Sequence, residues 1–400
     1  MREPVYGEYQ ENPAKANWDR MDDHRSLFDT GDVMEELIYK PVKLAKATDK
    51  KTGKVSWTVQ GGPHIRVVLK GATPFASEKQ ALKGDPRKDF YYTTPPFLDE
   101  KKAKLLMQQG LSREDAVREA TKTPKPRVFR FARLFTFTSK MSCASFSIPA
   151  GPQNHGTCPA SRPQAVEREG SYTEFHPPLA DMAKYKGSET GNPATYVCDV
   201  CYAGKGNYAL RANVSLTQMA RLRWMTKTMR SESFARRMSE GIGSLFDREV
   251  EQVLLAKNIS NRYFRIHDSG DFNTIEYYKA WRDVCDQFMG KKGLKGHPFV
   301  YFWAPTRQWV YKSFRDAFTE YYPPGPNFSL RPSGLFTNWP GTPMIPGIAA
   351  GTTSIEGDAP PPIKNCPAYD DENAEEKSCA GSRCRTCWSE PRKPVNYRTH

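Results

Sequence analysis

Residues 262–288, RYFRIHDSGDFNTIEYYKAWRDVCDQF, carry the pattern on which the fold turns. RYFRI is short, aromatic and β-branched, as a buried strand requires, and HDSGD behind it is a polar loop containing a turn-permissive glycine. From Thr274 the period changes. Ile275, Tyr278, Trp281, Cys285 and Phe288 recur at helical spacing and line one face, so Cys285 reads as core. The unit then repeats: FVYFWAP (299–305) is a second strand ending at Thr306-Arg307, a helix follows over 309–318, and NFSLRPS (327–333) is a third strand. Strand, polar loop and helix in succession predict parallel βαβ units, whose functional groups gather at the carboxyl ends of the strands. His267, Asp268, Asp271 and Arg307 fall at those ends.

Upstream, VFRFARLFTFT (128–138) predicts another strand, which leads into SKMSCASFSIPAG (139–151), TCPASRP (157–163) and YVCDVCYAGKGNY (196–208). Cys198 and Cys201 form a Cys-x2-Cys pair, and two thiols so spaced on a tight loop converge on one ion or cluster. The remaining ligands are open: Cys158, Cys143 or a non-protein molecule. A long helical stretch over 209–255 follows, broken near Ser231 and near Gly241 to Gly243, with Leu222, Met225 and Met229 at core spacing. From Lys205 to Arg237 there are eight basic residues and one acidic. That face suits a phosphate-bearing partner, nucleic acid first, or is simply solvated.

The two ends of the chain differ from this middle. Residues 1–50 read as a polar arm with a short helix over 33–39. KVSWTVQ and HIRVVLK read as a hairpin turning at Gly61, Gly62 and Pro63. Residues 98–121 predict two helices parted at Gly110, the second opening at Ser112 with Glu114 and Asp115 in its first turn, where they suit the helix dipole. TKTPKPR is a linker. Near the carboxyl terminus, after proline-rich GDAPPPIK, Cys366, Cys379, Cys384 and Cys387 are separated by twelve, four and two residues. Four thiols at this density are a metal signal that fits a structural zinc or an iron–sulfur cluster equally well. Together these features give an α/β fold: an N-terminal α+β accessory region (1–125), a partial parallel βα barrel, TIM-like, carrying the cysteine loop (126–345), and a Cys-rich tail (346–400).

Composition sets the outer limits. The net charge of +14 favours polyanionic partners or a basic solubilising surface. Neither a secretory leader nor a run of about 18 apolar residues is present, so the expectation is a cytoplasmic protein without membrane contact. In that compartment the nine cysteines are expected as thiols and metal ligands rather than disulfides. There is no His-Glu-x2-His pattern to suggest a zinc hydrolase.

KMSCASFSIPAG, VCDVCYAGKGNY, FRIHDSGDF, FWAPTR and CPAYD with CAGSRCRTCW resemble, in this order, the phage gene product 88 family of uncharacterised proteins, over residues 130–400. The cysteine loop ending in Cys-Tyr-Ala, followed by βα units, is also similar to the radical AdoMet enzymes, which combine a partial βα barrel with a four-iron cluster on three cysteines. Here 39 residues separate Cys158 from Cys198, so the intervening excursion must return to its start. What this second resemblance implies is a 4Fe-4S cluster on Cys158, Cys198 and Cys201 with S-adenosylmethionine at the open iron. Lys205 and Arg307 would then hold anionic groups, Asp268 or Asp271 ribose hydroxyls or an amine, and His267 would serve as acid, base or donor. The plain alternatives are a core histidine, helix-capping aspartates and a structural arginine. The competing function is a non-catalytic, zinc-organised nucleic-acid-binding protein.

Overall fold

The computed structural model describes residues 34–48, 53, 55–68, 90–92, 97–98, 100–122, 127–129, 131–138, 141–150, 157–158, 197, 201, 203, 212–290, 298–322, 325–338, 343–345, 348–355, 358–369, 379, 382 and 384–397. The first described elements form a long antiparallel hairpin of β1 (Met34–Thr48) and β2 (Val55–Val68). Ile38, Tyr39 and Val42 favour extended backbone, so the segment expected as arm and short helix is strand. The hairpin turn lies between Thr48 and Val55, not at Gly61 to Pro63. Gly61 and Gly62 instead adopt φ of 89° and 80° opposite a register shift between Lys40 and Lys43. A Cβ on Gly61 would meet the Pro41 carbonyl oxygen at 1.9 Å, so the glycines make a bulge rather than a reversal.

Short strands β3 (Phe90–Tyr92) and β4 (Phe97–Leu98) precede α1 (Glu100–Gln108) and α2 (Arg113–Ala120). These helices part at Gly110 as expected, and the Ser112 hydroxyl caps α2 by accepting from the Asp115 amide at 3.1 Å. β5 (Thr121–Lys122) pairs with β4. The stretch 128–138, expected as one strand, divides into β6 (Arg127–Phe129), β7 (Phe131–Arg133) and β8 (Thr136–Thr138), which join three different sheets. Leu134 and Phe135 explain the break between β7 and β8: both are buried, and consecutive residues of a straight strand point to opposite faces.

β9 (Cys143–Phe146) opens the parallel part. Helices α3 (Ala212–Arg230), α4 (Phe234–Gly243) and α5 (Arg248–Leu255) follow, broken where the sequence predicts. Next come β10 (Ser260–Ile266), α6 (Ile275–Gln287), β11 (Tyr301–Thr306), α7 (Lys312–Glu320) and β12 (Phe328–Thr337). A small ladder of β13 (Met344–Ile345) and β14 (Ala349–Ala350) leads to β15 (Thr352–Ser354), β16 (Lys364–Asn365), α8 (Thr386–Ser389) and β17 (Val395–Asn396).

Among the described residues the main sheet has eight strands in the order β16-β17-β15-β12-β11-β10-β9-β8, all pairs parallel except β8 with β9. From β9 to β12 and on to β15 and β17, each strand adds beside its predecessor without the reversal of a doubly wound sheet. Among the described residues the sheet is open, with β8 and β16 at its edges. The α/β expectation therefore stands as a mostly parallel open sheet, and closure into a barrel is not found.

Alternation sorts side chains onto two faces. Phe264 and Ile266 of β10, Phe302 and Ala304 of β11, and Phe328 and Leu330 of β12 pack with Trp224, Phe234, Tyr277, Trp281 and Phe314 of the helix layer. Each fully buried aromatic of this kind contributes roughly 2–3 kcal/mol. Cys285 lies in this core, as its position on α6 predicts. Cys143 and Trp303 face the other way and meet Cys387 and Trp388 of α8. No helix among the described residues is long and apolar enough to cross a membrane.

Candidate functional site

The loop after β10 is shaped by its backbone. Gly270 has φ of 89°, and a Cβ there would come within 2.8 Å of the Ile148 oxygen and 2.9 Å of Thr157 Oγ1. That close approach brings Asp271 to the end of β11. Its Oδ1 accepts from Thr306 Oγ1 at 2.7 Å and from the Phe272 amide at 2.8 Å, while Oδ2 accepts from the Arg307 amide at 2.6 Å. Burial raises the Asp271 carboxyl to about 6 even though these donors pull it down. The carboxylate thus fastens β10 to β11.

Thr157 joins the same knot. Its Oγ1 accepts from the Asp271 amide at 2.9 Å, its amide donates to Pro149 O at 2.9 Å, and its carbonyl accepts from Gln308 Nε2 at 3.3 Å. The residue preceding Cys158 is therefore bound to the segments that follow β9, β10 and β11. At the far end of the excursion, the Val197 amide donates to Leu335 O in β12 at 2.8 Å. Val197 precedes Cys198, which lies outside the described residues, as does Lys205. Cys158 and Cys201 are half-buried, and among the described residues neither forms a disulfide. Gln308 was not singled out from the sequence; its place two residues beyond the end of β11 is the signal that marks it.

The other strand-end residues divide. His267 takes φ of 63°, which turns its ring into the helix-side core against Phe272, with ring centroids 4.8 Å apart and Nε2 3.1 Å from the Tyr277 hydroxyl. Burial, with Arg265 second, lowers its pKa to about 3, so the ring is neutral at ordinary pH. Asp268 faces the tail side, where Arg265 Nη1 donates to it at 2.9 Å and the guanidinium lies 4.5 Å from the centre of the Trp303 ring. Arg307 donates from Nε to Gly334 O at 3.3 Å, tying β11 to β12. Asp271, Arg307 and the neighbour of Cys158 are thus together; His267 is packed apart from them, and Asp268 belongs with Arg265.

The tail is held by a residue that no sequence motif marks. Arg331 of β12 is fully buried, and its guanidinium donates to the carbonyls of Thr386 at 2.7 Å and Glu390 at 2.6 Å, and also to those of Ala350, Cys387 and Lys393. Trp388 Nε1 adds a bond to Phe264 O at 3.2 Å. Around this anchor the thiols gather. Burial and the neighbouring thiols raise Cys366 to about 12 and Cys379 to about 11. Burial also raises Cys384, but the Thr386 hydroxyl and amide and the Lys364 ammonium outweigh it, so this thiol lies below its ordinary range. Among the described residues, no three His, Cys, Asp or Glu side chains are arranged to hold a metal ion.

The basic stretch across α3 and α4 is less uniform than its composition suggests. Arg221 is buried, with Nε donating to Arg133 O at 2.8 Å and Nη1 to Thr136 Oγ1 at 2.9 Å. Lys227 and Arg230 are exposed, and Arg236 pairs with Glu240 at 2.9 Å.

Fold and site define an α/β protein with an open, mostly parallel sheet, bearing thiols on its tail side and an anchored cysteine loop at its strand ends. The chain belongs to the gene product 88 family, whose model matches residues 105–390. This agrees with the resemblance carried by the ordered motifs. No curated protein and no solved structure matches the chain.

Proposed function

We propose that this protein is an iron–sulfur enzyme, similar in plan to the radical AdoMet enzymes, with its reactive centre in the loop of Cys158, Cys198 and Cys201. The observation that carries the reading is the double anchoring of that loop. Thr157 and Val197, each one residue before a candidate ligand, are hydrogen-bonded to the segments at the ends of β10, β11 and β12. The excursion between them therefore leaves the strand ends and returns there, which is what a three-cysteine site with this spacing requires. Soft thiolate donors suit iron or zinc, and a cluster on three of them keeps one iron open for a small molecule and supplies single electrons.

The chain's own residues position this centre. Asp271 and Gln308 hold Thr157, and Arg307 links the end of β11 to β12 beside it. The four C-terminal cysteines form a second centre, zinc or cluster, that fastens the tail. A nucleic-acid-related substrate fits the exposed Lys227 and Arg230, whereas Arg221 is committed inside the protein. The test is to reduce oxygen-free protein in the presence of S-adenosylmethionine and follow its cleavage to methionine and 5′-deoxyadenosine. Cleavage in the wild type and none in Cys198→Ser is expected. Cluster-loaded wild type that leaves S-adenosylmethionine intact would remove the AdoMet assignment, and metal-free protein with salt-sensitive affinity for nucleic acid would favour the non-catalytic reading.

A further inference from the structure

From the sequence, Cys143 stands open as a ligand for the loop of Cys158, Cys198 and Cys201. Its strand places it elsewhere. In β9, Ala144 and Phe146 point into the helix-side core, so Cys143 faces the tail, where it packs in one buried group with Met141, Trp303, Cys387 and Trp388, and Cys379 lies against the same group. Two more features suit an anionic centre there. Arg265 and Arg385 are the cations that face Cys143, and Asp268, the nearby anion, is already paired with Arg265. Arg385 also donates to the carbonyls of Cys379 and Cys384, which holds its charge beside those thiols.

We infer that Cys143 is a ligand of the C-terminal centre, so that a thiophilic metal bound by Cys143 with Cys379 and Cys387 clasps the tail to β9. The inference rests on the reading that the C-terminal cysteines bind metal. The thiols are neighbours rather than a preformed ligand set. Loading draws them onto one point and releases one proton for each thiol that ligates. The centre then bridges residues far apart in sequence, and its metal stabilises the docked tail rather than a self-contained knuckle.

The test counts metal in a Cys158→Ser/Cys198→Ser background, so that only the C-terminal centre contributes. Cys143→Ser is compared with Cys384→Ser and with Cys285→Ser, a control for loss of a buried thiol remote from the tail. Zinc(II) and ferrous iron with sulfide are supplied separately, and visible absorption distinguishes them. Cys143→Ser is expected to weaken metal retention against a chelator by at least about 10-fold, while Cys285→Ser retains it. Cobalt(II) gives a second readout on protein that remains folded: thiolate-to-metal absorption should fall in Cys143→Ser, which removes one thiolate ligand, and stay unchanged in Cys285→Ser. If Cys143→Ser holds metal and cobalt absorption like Cys285→Ser while Cys384→Ser loses both, Cys143 is not a ligand and the C-terminal centre stands without it. If the background protein takes up no metal, both the inference and the C-terminal centre fall.

Discussion

On the helix side of the main sheet, Phe146, Phe264, Ile266 and Phe302 meet Trp224, Phe234 and Trp281 in a buried aromatic core. On the tail side, the same sheet presents Cys143, Arg265, Trp303 and Arg331 to a segment held by hydrogen bonds to backbone carbonyls and by edge-to-face rings. The helix side is stabilised by apolar area, which is non-directional and tolerant of small rearrangement. Individual polar atoms stabilise the tail side, and removing one leaves buried carbonyls without a donor. Truncations should therefore differ between the faces in both magnitude and reach.

The largest effect is expected on the helix side. Trp281→Ala should cost about 3–5 kcal/mol and lower the midpoint of global denaturant unfolding; a loss under about 1 kcal/mol would mean that this core is not the main source of stability. On the tail side, Arg331→Met should cost about 2–4 kcal/mol but act locally, exposing the segment around α8 to limited proteolysis. Should Arg331→Met lower the global midpoint as far as Trp281→Ala does, the two faces unfold as one unit and the contrast is lost.

Smaller effects come from the strand ends. Asp271→Asn leaves the Arg307 amide without its carboxylate acceptor and should cost about 1–3 kcal/mol. Because the folded-state pKa of Asp271 is raised from 3.8 to about 6, its contribution to stability is greatest at acid pH and is lost as pH rises through that interval. His267 acts in the opposite sense. Its folded-state pKa is lowered from 6.5 to about 3, so stability is complete above 6.5 and is lost as pH falls below it. Unfolding measured from pH 4 to 6 should steepen toward acid in Asp271→Asn and flatten in His267→Asn, which keeps a residue tolerant of positive φ. Unchanged slopes in both would contradict the burial that sets these values. Least of all, Lys227→Gln should alter stability by under about 0.5 kcal/mol, and any effect should appear as weaker, less salt-dependent binding to nucleic acid.

Much of the parallel core was legible because period and composition agree there: β10, α6, β11 and α7 lie where alternation and helical spacing place them. The strand-end positions of Asp271 and Arg307 were legible for the same reason, since Arg307 directly follows β11 and Asp271 lies in the loop after β10. What escaped depends on long-range partners. Gly61 and Gly62 look alike in a turn and in a bulge until β1 pairs opposite them, and Leu134-Phe135 breaks a strand only because both side chains find the core. Arg331 reads as an interruption in an apolar strand, and four of the five carbonyls it reaches, those of Thr386, Cys387, Glu390 and Lys393, lie more than fifty residues away. The ring of His267 turns inward through a backbone angle that local composition does not specify.

The proposed function requires a redox-active metal centre in the loop of Cys158, Cys198 and Cys201 at the strand ends. That centre is read out by the iron, sulfide and zinc content of protein purified without oxygen, with its visible absorption spectrum, for the wild type and for Cys158→Ser and Cys201→Ser. Iron with matching sulfide and broad visible absorption is expected in the wild type, with that portion lost in both variants. A colourless wild type holding only zinc, or iron content unchanged in both variants, would contradict it.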